Sequence, residues 1–244
     1  MNFTSLDEFR SGKVLLINKP YRWTSFDAVN KIKWAIKNAQ RKSSSGQKLP
    51  NIKVGHAGTL DPLATGLLIV CTGAFTKEID KLQTLEKEYT GTFFLGATTP
   101  CFDLEKEIDV KFPTDHITPQ LIYESTKQFI GSIEQIPPVF SAVHINGKRA
   151  YELARAGREV EMKSKTITIS AFEIPRIQLP EVDFKVTCSK GTYIRSLARD
   201  FGHALNSGAH LTSLCRTRIG NYLLDEAISV LEFENSLAKL VVGN

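Results

Sequence analysis

The spacing of apolar and polar positions divides the chain into short strands and helices with no internal repeat. Lys13–Asn18 (KVLLIN) is a branched apolar run closed by Lys19-Pro20 and predicts a first strand. Ser25 is expected as the N-cap of a helix carrying Phe26, Val29, Ile32 and Ile36 at helical spacing. That helix runs out in Arg41-Lys42-Ser43-Ser44-Ser45-Gly46, a polar, basic loop. Next comes Gly55-His56-Ala57-Gly58-Thr59-Leu60-Asp61-Pro62, where glycines before an acid and a proline after it predict a constrained loop. Gly66-Leu67-Leu68-Ile69-Val70-Cys71 follows as a buried strand, then a short helix over Thr76–Leu85 and a strand over Glu88–Leu95.

Thr98–Asp115 is irregular and partly acidic, and Thr118 with Pro119 opens a helix to Phe129. Ile133–Met162 has a different character: a Pro137-Pro138 hinge, then a basic hairpin and a short amphipathic helix through Arg155. It reads either as an arm that clamps a ligand or as a static surface excursion. Thr166–Ile174 and Val182–Cys188 are strands, and Thr192 is expected to cap the helix YIRSLARDFGHAL. Leu211–Leu214 and Ile219–Leu223 are strand-like, and a last helix spans Val230–Leu240. Strands and helices mix without strict alternation, which predicts an α+β fold built on a large mixed sheet.

At 244 residues the chain can bury a full core. No apolar run approaches the roughly 18–20 residues that span a bilayer. The start, MNFTSLDEFRSGK, is too polar and acidic for a secretory signal. Cys71, Cys101, Cys188 and Cys215 are scattered, with no CxxC pair, which argues against a zinc site and fits reduced thiols in the cytoplasm.

The net charge of +5 changes the picture only through its distribution. Between Ala28 and Leu60 there is no acid, while Lys31, Lys33, Lys37, Arg41, Lys42, Lys48 and Lys53 are basic. From Lys185 to Arg218 six Lys or Arg stand against one acid, Asp200. These segments are either two solvated faces or the flanks of a polyanion laid across a site. A rigid loop feeding a core strand is a good mount for one reactive side chain, and Asp61 is the candidate.

VGHAGTLDPLATGLLIVCTGAFTK (Val54–Lys77) resembles the defining motif of the TruB family, the tRNA pseudouridine synthases acting on uridine 55 of the T loop. The resemblance continues in order through Lys19-Pro20 with Thr24-Ser25, Lys87-Glu88-Tyr89 with Leu95-Gly96, and PPVFSAVHINGKRAYELARAG (Pro137–Gly157). It ends in CSKGTYIRSLARDFG (Cys188–Gly202) and LTSLCRTRIG (Leu211–Gly220), covering roughly residues 13–222. It implies a pseudouridine synthase fold in one catalytic domain, residues 1–225, with an RNA-clamping arm near 133–162 and a short helical tail, 226–244.

The implied reaction breaks the N1–C1′ bond of a uridine, turns the base and rejoins it through C5. Neither a metal nor an organic cofactor is expected, because no redox step or leaving group is involved. The resemblance makes Asp61 the acting carboxylate, as a nucleophile at C1′ or C6 or as a base for the 2′ proton. It makes Arg195 the charge partner of Asp61, and Tyr89 the ring that stacks on the flipped base. Tyr193 and Leu214 line the same pocket, and His56 contacts the RNA near the vacated position. The implied partner is the T arm of tRNA; no membrane or protein partner is implied, and a monomer is expected.

The sequence departs from the family at Arg22, where glycine is usual, so the first turn differs or gains a phosphate contact. Thr99-Pro100-Cys101 replaces Thr-Asp-Thr, and residues 38–52 are longer than in many members. The few residues after Gly220 leave no room for the PUA-type RNA-binding module of many relatives. Recognition is then expected to rest on the arm and on the basic Lys31–Lys53 segment. A second reading is a tRNA-binding or folding protein with secondary or lost catalysis, against which the intact Asp61, Tyr89 and Arg195 argue. GHAGTLDPLATG as a phosphate-cradling loop is set aside, for it lacks the GK[ST] ending.

Overall fold

The structure is a computed structural model that describes residues 3–43, 50–141, 143–145, 147–158 and 160–242. In chain order it opens with α1 (Asp7–Ser11), β1 (Val14–Lys19), α2 (Ser25–Ser43), β2 (Val54–His56), β3 (Thr65–Thr72) and α3 (Ile79–Thr84). The middle holds β4 (Lys87–Leu95), β5 (Ala97–Thr98), β6 (Val110–Lys111), α4 (Pro119–Thr126), β7 (Gly131–Gln135), β8 (His144–Ile145), β9 (Lys148–Arg149) and α5 (Ala150–Arg155). The last third contains β10 (Lys165–Gln178), β11 (Glu181–Cys188), α6 (Ile194–Ala204), β12 (Ala209–Ile219), β13 (Tyr222–Leu223), β14 (Ile228–Ser229) and α7 (Val230–Val242). The architecture is α+β, with a large mixed sheet flanked by helices. By compactness the chain divides into two units, residues 1–87 with 215–244, and residues 88–214.

In the first unit β1 lies between β3, antiparallel, and β14, parallel. β2 adds to β3 antiparallel, and β12 pairs with β3 in parallel at Cys215–Arg216. The apolar run of β3 is continuous because both of its faces are covered. Leu68 and Val70 join a core with Ile32 and Ile36 of α2 and with Phe233 and Leu237 of α7. Leu67, Ile69 and Cys71 face the other way, against Leu16, Ala57 and Ile219. Alternate positions of one strand thus feed two cores. The final helix, α7, belongs to the first of these cores, where the rings of Phe9 and Phe233 meet edge to face, 5.9 Å apart.

Several expected details change. Thr24, not Ser25, caps α2: Asp27 donates its N–H to the Thr24 hydroxyl, and Thr24 donates its own N–H to the Asp27 carboxylate. Phe26 leaves the expected apolar stripe and is 67% exposed. At 100° per residue it points roughly 120° away from Ile32 and about 180° away from Ala35. Val54–His56 is a strand rather than part of the loop. Arg41–Ser43 extend α2, and the rest of the expected basic loop, 44–49 with Lys48, lies outside the described residues.

In the second unit the strand order is β12-β4-β11-β10-β7, with β10 antiparallel to both of its neighbours. Its core is aromatic: Phe93 stacks on Phe184 at 4.1 Å, and Phe201 packs against Phe93 and Phe172 at 5.5 Å. Leu211–Leu214 and Ile219 belong to one long strand, β12, rather than two. Thr118 caps α4 as expected, its hydroxyl accepting from the Leu121 N–H. Thr192 caps nothing; its hydroxyl donates to the Ser189 carbonyl, and the N-cap position of α6 is Tyr193. The arm contains the short β8–β9 hairpin and α5; Ala142, Asn146 and Glu159 lie outside the described residues.

Because Phe233 is completely buried between α1, α2 and β1 residues, Phe233→Ala is expected to cost about 3–5 kcal/mol in urea unfolding. A loss below about 1 kcal/mol would show that α7 is an appendage rather than core.

Candidate functional site

Asp61 sits half-buried on a loop that three side chains of the first unit fasten from different directions. The Ser25 hydroxyl accepts the Leu60 N–H at 2.8 Å and lies 3.3 Å from the Leu60 carbonyl. This explains why a residue expected as a helix cap is buried at the start of α2. Lys19 donates from Nζ to the carbonyls of Pro20 at 3.0 Å, Trp23 at 2.5 Å and Pro62 at 3.4 Å. Arg216 donates to Leu67 at 2.8 Å, Gly58 at 3.1 Å and Thr59 at 3.4 Å, all backbone carbonyls. The residues on either side of Asp61 are thus pinned, and the carboxylate is carried on a backbone with little freedom.

Arg216 reaches the loop because β12 runs hard against β3. A Cβ on Gly66 would lie 2.4 Å from the Arg216 carbonyl oxygen, and φ there is 102°. Only glycine allows that approach in that conformation. The backbone N–H of Arg22 also donates to the Pro62 carbonyl, at 2.9 Å.

The loop is electrically unusual. Lys19 and Arg216 are 0% and 1% exposed, two buried cations that both bind the loop carrying Asp61. Burial pulls the Lys19 ammonium down to about 8 from an ordinary value of 10.5; the Asp61 charge opposes the shift and Arg216 adds to it. His56, at the end of β2, is pushed below the ordinary histidine range by burial and by the charge of Arg216, against a backbone hydrogen bond to Gly58. It is therefore neutral at pH 7. Its Nδ1 is buried with no hydrogen-bond partner, an unsatisfied group inside the site.

Tyr89, Tyr193, Arg195 and Leu214 all lie in the second unit. Tyr89 is buried on β4, and Leu214 is half-buried on β12. Arg195 is 5% exposed on the first turn of α6; it faces Asp103 at 3.7 Å and donates to the carbonyls of Phe140 at 2.9 Å and Cys101 at 3.3 Å. Tyr193 is held by the side chain of Gln135, which accepts its N–H at 2.8 Å and donates to its carbonyl at 3.2 Å. The Ser196 hydroxyl donates to the Ile136 carbonyl at 2.8 Å. The start of α6 is therefore tied to the segment that leads into the arm.

Sequence reasoning missed Arg216, Asp103 and Gln135, and saw Lys19 only as part of a motif. Arg216 looks like the half-buried Arg218 two positions on, and nothing in the local sequence marks it as the buried one of the two. Among the described residues no cluster of His, Cys, Asp and Glu has metal-site geometry, and no helix is long and apolar enough to cross a membrane.

A family model described as TruB family pseudouridylate synthase (N terminal domain) matches residues 43–194. The tRNA pseudouridine synthase B of Flavobacterium johnsoniae is 59% identical over 231 residues, covering 95% of this chain and 98% of that protein. The protein of the same name from Clostridium kluyveri is 43% identical over 230 residues, 93% of this chain and 75% of that one. Among solved structures, the one titled Crystal Structure of a Cbf5-Nop10-Gar1 Complex is similar with a TM-score of 0.70 and 29% identity. The match covers 95% of this chain but only 56% of that chain.

The Lys19 shift has a defined sign. Between pH 8 and 10.5 the unfolded chain keeps a proton that the folded chain has lost, so this group makes stability rise with pH across that window. The unfolding free energy of the native chain is expected to gain on that of Lys19→Met by up to about 3 kcal/mol over the same range. A difference that stays flat with pH would show an ordinary lysine.

Proposed function

The chain belongs to the TruB family of pseudouridylate synthases, and we propose that it isomerises uridine 55 in the T loop of tRNA to pseudouridine. The observation that carries the reading is the mounting of Asp61: a half-buried carboxylate on a loop pinned by Ser25, Lys19 and Arg216, with two buried cations beside it. A reaction that must hold one carboxylate against C1′ and C6 of an extruded nucleotide needs that pre-organisation. Both available routes use a carboxylate in that place: attack on the sugar or base, and removal of the 2′ proton.

The other residues take the roles the family implies. Tyr89 stacks on the flipped base, Tyr193 and Leu214 wall the pocket, and Arg195 supplies charge to Asp61. His56, neutral at pH 7, takes the place of the residue that contacts the RNA where the base has left. Atoms and electrons balance within the nucleotide, so the chemistry calls for no external cofactor. The catalytic domain takes in β14 and α7 beyond the expected boundary at 225, residues 133–162 clamp the RNA, and the enzyme works as a cytoplasmic monomer.

Recognition of the T arm draws on α2 as well. Its outward stripe is Phe26, Asn30, Lys33, Trp34, Lys37 and Arg41, all exposed, with Lys31 lying 5.1 Å from the Trp34 ring. Basic side chains interleaved with exposed aromatics suit phosphates and unstacked bases.

Isomerisation frees the C5 hydrogen, so tRNA tritiated at C5 of uridine should release label to water with the native chain. Asp61→Asn should lower release by at least about a thousandfold, roughly 4 kcal/mol, with tRNA binding kept. Full release from that variant removes Asp61 from the role; binding without release by the native chain on any tRNA favours a binding or folding protein. The double variant Lys33→Ala, Lys37→Ala should weaken tRNA binding and lower the slope of log affinity against log salt by about two. An unchanged slope would leave α2 a solvated face.

A further inference from the structure

The turn between β1 and α2 holds a backbone outlier that the chemistry above does not use. Arg22 has φ 65°, in the left-handed region, where an L residue pays a steric cost that glycine avoids. Among the described residues only Phe102 and Asn206 share this feature outside glycine. The strain is held in place by the backbone: the Arg22 N–H donates to the Pro62 carbonyl at 2.9 Å, and Lys19 grips Pro20, Trp23 and Pro62 around it. Glycine would satisfy every one of these bonds with less strain, so the fold itself gives no reason for arginine here.

The side chain points to the reason. Arg22 and Tyr21 are both exposed, Tyr21 by 48%, and the guanidinium lies 5.6 Å from the Tyr21 ring centroid. No carboxylate pairs with Arg22 among the described residues. It is an oriented guanidinium without a counter-charge, on a turn hydrogen-bonded to the residue that follows Asp61. Planar bidentate donors of this kind match phosphate oxygens.

We propose that Arg22 binds a backbone phosphate of the RNA strand beside the nucleotide acted on by Asp61, with Tyr21 orienting the guanidinium. The proposal rests on the reading that the substrate is tRNA. It assigns a substrate-binding role to a position whose backbone conformation suits glycine better.

The test compares the full chain with Arg22→Gly and Arg22→Lys in thermal unfolding, tRNA binding across a salt series, and tritium release. Arg22→Gly is expected to raise Tm by about 2–4 °C as strain is relieved. It should also weaken tRNA binding roughly three- to tenfold and cut the salt slope by about one, with KM raised and kcat kept. Arg22→Lys should keep the slope and recover part of the affinity. Stability and binding moving in opposite directions is an outcome that a merely structural arginine does not produce. If Arg22→Gly matches the native chain in affinity, slope and KM, the contact is overturned while the isomerase stands. If the native chain binds tRNA but releases no tritium, the isomerase reading falls, and the slope difference still decides the contact. A native chain that binds no tRNA overturns both.

Discussion

Arg216 and Lys19 spend their hydrogen bonds on backbone carbonyls of the Asp61 loop and its approaches, and the site depends on that exchange. Each cation is almost wholly buried, and each would be costly there if its donors were unmet. The buried Leu67 carbonyl would likewise be costly if left without a donor, and Arg216 supplies it. Charge and backbone therefore hold each other in place. The net cost is still visible in the lowered affinity of Lys19 for its proton, on the order of 3 kcal/mol. A fold carries such a cost where the geometry is worth more than the stability, and here the geometry is that of one carboxylate.

The same arrangement sets the electrostatics for chemistry. A loop rigid enough to present Asp61 could have been made from turns and apolar packing alone. Using two cations adds a positive field, and burial together with the Arg216 charge keeps the neighbouring His56 neutral. In the second unit Arg195 follows the same logic on a different scaffold, with Asp103 beside it and two carbonyls satisfied. Gln135 extends this rigidity toward the arm by fixing the backbone of Tyr193 on both sides.

Much of this was legible from residue order. The doubly covered strand β3 is announced by its unbroken apolar run, because no alternating polar position is needed when both faces are packed. Thr118-Pro119 announces α4, since a hydroxyl cap and a pre-set φ act locally. The failures are equally physical. Ser25 and Thr24 are both good caps, and which one caps was decided by Leu60, 35 residues away, which claims the Ser25 hydroxyl. Phe26 looks like core by composition, but its angular position on α2 turns it to solvent. Val54–His56 reads as loop because of its glycine, and becomes strand only because the edge of β3 is there to pair with it.

By itself, then, the order of residues determined the α+β class, most element positions and the family, and it singled out the acid at 61 as the candidate, since these follow from local conformational preference and from ordered motifs. Tertiary structure alone decided what surrounds that acid. Lys19, Ser25 and Arg216 are separated from Asp61 by 36 to 155 positions, and nothing in their local sequence says which carbonyls they will meet. Burial converts an ordinary lysine and an ordinary arginine into the frame of a site, and burial is a property of the packed chain rather than of any segment in it.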